Sequence, residues 1–124
     1  MSSNHVALIT HVKDLLIAQC VKSFVQDGGQ RCYYRCENED GVVLKCAIGH
    51  LIPVSKYRNA MEDLPCDMFL EYYSGTLKAV LAKFKLDVDD PEVRLLLDKL
   101  QNIHDFHEVN EWSEEFDKLI AEYK

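Results

Sequence analysis

Four stretches of the chain place apolar residues at helical spacing. In 4–26 they are Leu8, Val12, Leu15, Leu16, Cys20 and Phe24. Ser3 or Asn4 can cap that helix, and "DGG" at 27–29 supplies a glycine stop. In 66–86 the stripe is Leu77, Val80, Leu81 and Phe84, with an interruption at "SGT" and Ser74 placed to restart the helix. In 93–103 it is Val93, Leu96, Leu97, Leu100 and Ile103, and in 110–123 it is Trp112, Phe116, Leu119, Ile120 and Tyr123. The third of these has the best start signal. Asp90 stands at the cap, Pro91 at the first helical position, and Glu92 near the positive end of the helix dipole.

Between the first two stretches the period changes from helical to alternating. "RCYYRC" at 31–36 is aromatic, "GVVLKC" at 41–46 is β-branched, and "ENEDG" between them is turn chemistry. The pattern predicts a hairpin of residues 31–36 and 42–46, which needs helices to pack on because an isolated hairpin is marginal in water. "AIGHLIPVSKY" reads as a turn or short helix broken at Pro53, with Ser55 capping a second short segment through Met61. "HDFHEVN" at 104–110 interrupts the helical pattern. The predicted class is α+β and mostly helical, with four to five helices around one small antiparallel hairpin, in a single domain spanning 1–124.

Hydrophobic residues make up 48% of the 124, which places the chain among globular proteins. It has no apolar run long enough to span a bilayer. The first twenty residues lack a basic start, a continuous apolar block and a cleavage site, so the expected location is the cytoplasm. The net charge of −7 is concentrated at one end. Residues 1–86 carry 10 Lys+Arg against 9 Asp+Glu, and residues 87–124 carry 4 against 12. The acidic third is unsuited to phosphate backbones and suited to a basic protein partner.

Cysteine supplies the main chemical candidates. Five cysteines in a cytosolic chain point to free thiols or a metal rather than a disulfide framework. Cys32, Cys36, Cys46 and His50 have the number and elements of a zinc site, in the order Cys-x3-Cys-x9-Cys-x3-His. On one strand, however, Cys32 and Cys36 stand roughly 13 Å apart, too far for one ion unless the strand breaks. The alternative is that these cysteines fill a small core. Cys46 and His50 also have the spacing of a thiol and its base, with no orienting acid or oxyanion hole in sight.

Weaker candidates have structural readings beside them. His104 and His107 have a metal-ligating spacing but fall where the helix pattern ends, as loop histidines do. Asp87, Asp89 and Asp90 open like a calcium loop, which Pro91 and a missing glycine and distal glutamate spoil. "QDGGQR" lacks the lysine and serine of a phosphate loop. Tyr33, Tyr34 and Arg35 suit base stacking or, equally, a packed hairpin.

The core formed by Tyr34, Arg35, Gly41, Lys45, Cys46, Ala47, Ile48, Gly49, Leu51, Ile52 and Pro53, followed by "KYRNAMED", resembles a family of small, mostly uncharacterised proteins of bacteriophages and bacteria. "LQNIHDF…EWSEEFDKL", with Leu100, Gln101, His104, Asp105 and Trp112, resembles the C-terminal pattern of the same family. The resemblance touches about two-thirds of the chain. It implies a phage or bacterial origin and transfers no catalytic residue. In that family the position matching His50 often holds another residue, which weighs against zinc.

Two functional expectations follow. One is an accessory factor that binds a protein through Glu108, Glu111, Glu114, Glu115 and Asp117, in the phage setting an inhibitor of a host defence or nucleic-acid-handling protein, without a cofactor. The plainer account of those charges is that they keep the outer face of an amphipathic helix wet, and residues 111, 114, 115 and 122 do fall opposite the apolar stripe. The other expectation is a zinc-stabilised or thiol-dependent domain, enzymatic or not, built on Cys46 and His50. The sequence leaves the oligomeric state open.

Overall fold

A computed structural model describes residues 2–20, 24–26, 30–32, 34–37, 40–64 and 66–124. Helix α1 (Ser2–Gln19) is followed by strands β1 (Phe24–Gln26), β2 (Gln30–Cys32), β3 (Arg35–Glu37) and β4 (Val43–Lys45). Short 3-10 turns then lead to α2 (Cys66–Tyr73), α3 (Lys78–Lys83), α4 (Pro91–Phe106) and α5 (Val109–Tyr123). The mostly helical α+β class with a small hairpin is what the pattern predicts.

One continuous core serves all five helices. Leu8, Ile9, Val12 and Leu16 of α1 meet Trp112, Phe116 and Leu119 of α5, while Val93, Leu96, Leu97 and Leu100 of α4 fill the space toward Phe69 and Leu70 of α2. Burial of these side chains, each contributing about 1.5–3 kcal/mol, is what holds the helices together. Among the described residues no helix is long and apolar enough to cross a membrane.

The first helix is shorter than its periodicity suggests. It stops at Gln19, and Cys20 takes a left-handed conformation with φ 59° and donates its N–H to the Leu16 carbonyl at 2.8 Å. Phe24 and Val25, read as the helix's last turns, belong to β1 and pair antiparallel with Cys32 and Arg31 of β2. Aromatic and β-branched residues favour the strand once a partner is at hand. The "DGG" stop at 27–29 lies outside the described residues.

The second ladder keeps part of the predicted hairpin, because the strand expected over 31–36 is divided: Arg31 and Cys32 belong to β2 and pair with β1, and only Arg35 onward pairs with β4. Arg35, Cys36 and Glu37 stand opposite Lys45, Leu44 and Val43. Its open end, where Arg35 faces Lys45, is held on each strand by a side chain from elsewhere. Gln19 receives the Lys45 N–H at 2.9 Å and donates to the Lys45 carbonyl at 2.8 Å, which closes the outer edge of β4. Glu62 receives the N–H groups of Tyr34 at 2.8 Å and Arg35 at 3.0 Å.

Further along, the segment expected to run from Ser55 to Met61 is two 3-10 turns, Val54–Lys56 and Asn59–Asp63. Ser74 lies within a 3-10 turn that joins α2 to α3. Asp90 caps α4 as predicted, receiving the Glu92 N–H at 2.9 Å. The interruption at 104–110 is much shorter than expected, since α4 continues through Phe106 and α5 starts at Val109.

Candidate functional site

The turn that follows β4 is the chemically densest part of the molecule. Its chain passes so close to Tyr34 that a Cβ at Gly49 would lie 1.9 Å from the Tyr34 carbonyl oxygen. Tyr34 itself is buried, and its hydroxyl donates to the Leu64 carbonyl at 2.7 Å. It is thus a core residue rather than a stacking platform for bases. The Glu62 carboxylate that receives the Tyr34 and Arg35 N–H groups also accepts from the Tyr57 hydroxyl, and the Arg35 guanidinium lies 5.7 Å from the centre of the Tyr57 ring. Burial and the bond to Glu62 push the Tyr57 phenol up from its ordinary range.

Behind this turn lies a chain of polar groups on α4. The Ile48 N–H donates to Gln101 Oε1 at 3.1 Å, across 53 positions of sequence. Gln101 Nε2 donates to Asp105 Oδ1 at 3.0 Å, and His104 Nδ1 donates to the same oxygen at 2.8 Å. The His104 ring is 0% exposed and stacks on Trp112 with centroids 5.5 Å apart. The loop position expected for His104 is therefore corrected, because the extra turn of α4 carries it inward. Buried polar groups must be paired, and here each link serves the next.

Cys46 occupies the centre of the turn. Its sulfur accepts the Gly49 N–H at 3.3 Å, and its carbonyl accepts the His50 N–H at 3.0 Å. Complete burial pushes the thiol far up from its ordinary range, with Asp105 adding to the effect and the Gly49 bond opposing it. The thiol is therefore protonated and enclosed, the opposite of an activated nucleophile. His50 is pushed the other way, down to about 4, by burial first and then by the charges of Lys45, His104 and His11. It is a weak base beside a weak acid.

Two of the four zinc candidates do not sit as the sequence places them. Cys32 belongs to β2 and Cys36 to β3, so they do not share a strand, and the 13 Å separation along one strand does not apply. Cys36 is half-buried and Cys46 fully buried, whereas the Cys32 side chain lies outside the described residues. Among the described residues no three His, Cys, Asp or Glu side chains converge as metal ligands. Asp87, Asp89 and Asp90 are occupied by a turn, an ion pair to Arg94 at 3.2 Å and a helix cap.

His50 carries a prediction of its own. A ring held near 4 when folded and near 6.5 when unfolded binds its proton more readily in the unfolded chain. Its contribution to stability is complete above about pH 6.5 and is lost progressively as the pH falls toward 4. Allowing for the solvent that reaches the ring, about 1 kcal/mol should go between pH 6.5 and 5. Urea unfolding at those two pH values should show that loss in the parent and a flatter profile in His50→Gln.

The acidic candidates stand in three settings. Glu108 and Glu111 form a reciprocal capping box at the start of α5, the Glu108 N–H donating to Glu111 Oε1 at 2.8 Å. Asp117 is turned toward α1 and held by Lys13 at 2.8 Å. Glu115 is bound to Lys118 at 3.1 Å, and Glu114 stands 3.8 Å from the same lysine with 76% of its side chain exposed. Glu111 and Glu115 flank His107 at 3.9 and 3.6 Å. At the corner where α4 meets this acidic face, Phe106 is 77% exposed.

Sequence reasoning gave no role to Glu62, Gln101 or Phe106. Gln101, His104 and Asp105 were visible in the "LQNIHDF" pattern, but nothing in the pattern says that Gln101 reaches Ile48. Comparison with family models, with curated proteins and with solved structures gives no match to this chain.

Proposed function

We propose that this protein is a small acidic accessory factor that acts by binding another protein, through the start of α5 and the corner it makes with α4. In the phage setting that the sequence resembles, it would act in the host cytoplasm as an inhibitor of a defence or nucleic-acid-handling protein with a basic surface. The observation that carries the reading is Phe106. A large aromatic ring left 77% in water at the end of α4, two residues before Glu108 and the acidic start of α5, has the composition of a binding hot spot with a charged rim. A wetted helix face accounts for the carboxylates, and the exposed phenylalanine at their start adds an apolar anchor that a docked partner would cover.

The test is capture of a host protein on immobilised chain at about 0.05 M salt and its release at about 0.5 M, where charges are screened within a few Å. Replacing Glu111, Glu114 and Glu115 together by Gln keeps the capping box, because Gln serves at that position as Glu does. That variant should bind the captured protein about tenfold more weakly and with a shallower salt dependence. Capture that ignores both salt and the triple replacement would end the electrostatic reading.

A further inference from the structure

α4 ends at Phe106 and α5 starts at Val109, so His107 and Glu108 make the whole connection between them. His107 closes α4 with an extended backbone, φ −122° and ψ 149°. Its ring lies beside the start of α5, and each ring nitrogen faces a different carboxylate. Nδ1 is 3.9 Å from Glu111 Oε1, and Nε2 is 3.6 Å from Glu115 Oε1. A neutral imidazole has a single N–H to offer these two acceptors, whereas an imidazolium has one for each. With 36% of the side chain exposed, the proton that makes the difference comes directly from solvent.

The other charged groups around this joint have partners of their own. On α5, Glu108 is engaged in the capping box, and Lys118 holds the second oxygen of Glu115 at 3.1 Å and stands 3.8 Å from Glu114. On α4, Asp105 is bound by Gln101 and by the buried His104, and Lys99 is drawn to Glu122 at 3.1 Å. On α1, Lys13 is spent on Asp117. Histidine is the side chain whose charge ordinarily changes between about pH 5 and 8, and at this joint His107 is the exposed one. We infer that His107 is a proton-operated brake on the acidic face. Protonated, it supplies a counter-charge to Glu111 and Glu115 together; neutral, it leaves their charge to a basic partner. This rests on the protein-binding reading and adds to it regulation by pH.

The probe is a labelled arginine-only peptide of about ten residues, which keeps its full charge at every pH used. Anisotropy titrations against the full chain at about 0.05 M salt avoid screening the contact. The affinity of the parent should fall about fourfold from about pH 7.5 to about 5.5, a range in which ordinary carboxylates stay ionised. His107→Gln keeps an amide N–H at the joint and cannot take up a charge, so its affinity should be the same at both pH values. The melting temperature of this variant at the higher pH should match the parent, because the side chain is part of no buried contact. An equal fall in both proteins would overturn the inference, and so would a parent whose affinity does not change with pH. The two readings fail separately. A peptide that binds neither protein, or binds regardless of the Glu111, Glu114 and Glu115 replacements, removes the acidic face and the brake with it. A peptide that needs those carboxylates and ignores His107 removes the brake alone.

Discussion

Gly49→Ala should leave the protein unfolded, or destabilised by about 4 kcal/mol or more, the range reserved for a few named mechanisms. The added methyl would sit 1.9 Å from the carbonyl oxygen and 2.8 Å from the carbonyl carbon of Tyr34, with the Lys45 Cβ at 3.3 Å. The obstructing atoms are backbone, so no side chain can swing aside. Tyr34 cannot retreat either, because its N–H is held by Glu62, its hydroxyl by Leu64, and its ring lies against Phe69 with centroids 5.0 Å apart. Gly75 provides the control. A Cβ there meets nothing within 4 Å, so Gly75→Ala should be neutral or stabilising by a few tenths of a kcal/mol. Chemical denaturation of the two variants side by side decides the matter. A Gly49→Ala protein that melts within a few degrees of the parent would mean that the turn does not approach Tyr34 this closely.

The same glycine shows where sequence reasoning stopped. It is present in the "KCAIG" core, and nothing in its neighbours says that it is needed for close approach rather than for a turn. The helices were legible because Val93, Leu96, Leu97 and Leu100 repeat at a period that one element can satisfy by itself. The end of α1 was not, since Phe24 fits both the helical spacing and a strand, and pairing with Cys32 across the chain decides between them. The cysteines were misplaced for a related reason. Cys32 and Cys36 are separated by a change of partner, β2 to β1 and β3 to β4, which no local pattern records. The site features that matter most, Glu62 on Tyr34 and Gln101 on Ile48, join residues 28 and 53 positions apart. Such bonds are products of the fold and can be read only after it.

Gln101→Leu should cost about 2–3 kcal/mol, the toll of leaving a buried N–H unpaired. The replacement keeps the volume of the side chain and removes both of its bonds. The Ile48 N–H then has no acceptor in a region that water does not reach, and Asp105 loses the donor that shares its Oδ1 with His104. Gln101→Glu separates the two halves of this role. It restores an acceptor for Ile48 but sets a second carboxylate against Asp105, whose oxygen stands 3.0 Å from the amide nitrogen it replaces. Two carboxylates at that distance share a proton, so the pair's apparent pKa rises above the unfolded value. At this pair the folded variant then binds more protons than the unfolded chain, and the pair's contribution to stability falls as the pH rises from 5 to 7. The parent should do the opposite over the same range, because His50 loses its contribution on acidification. Unfolding free energies for the parent and both variants at pH 5 and 7 therefore have three distinct signatures. They are a rise with pH for the parent, the same rise set lower for Gln101→Leu, and a reduced or inverted slope for Gln101→Glu. Parallel curves for all three would show that Gln101 and Asp105 are not in contact, and coincident curves for the parent and Gln101→Leu would show that the turn after β4 is held to α4 by apolar packing alone.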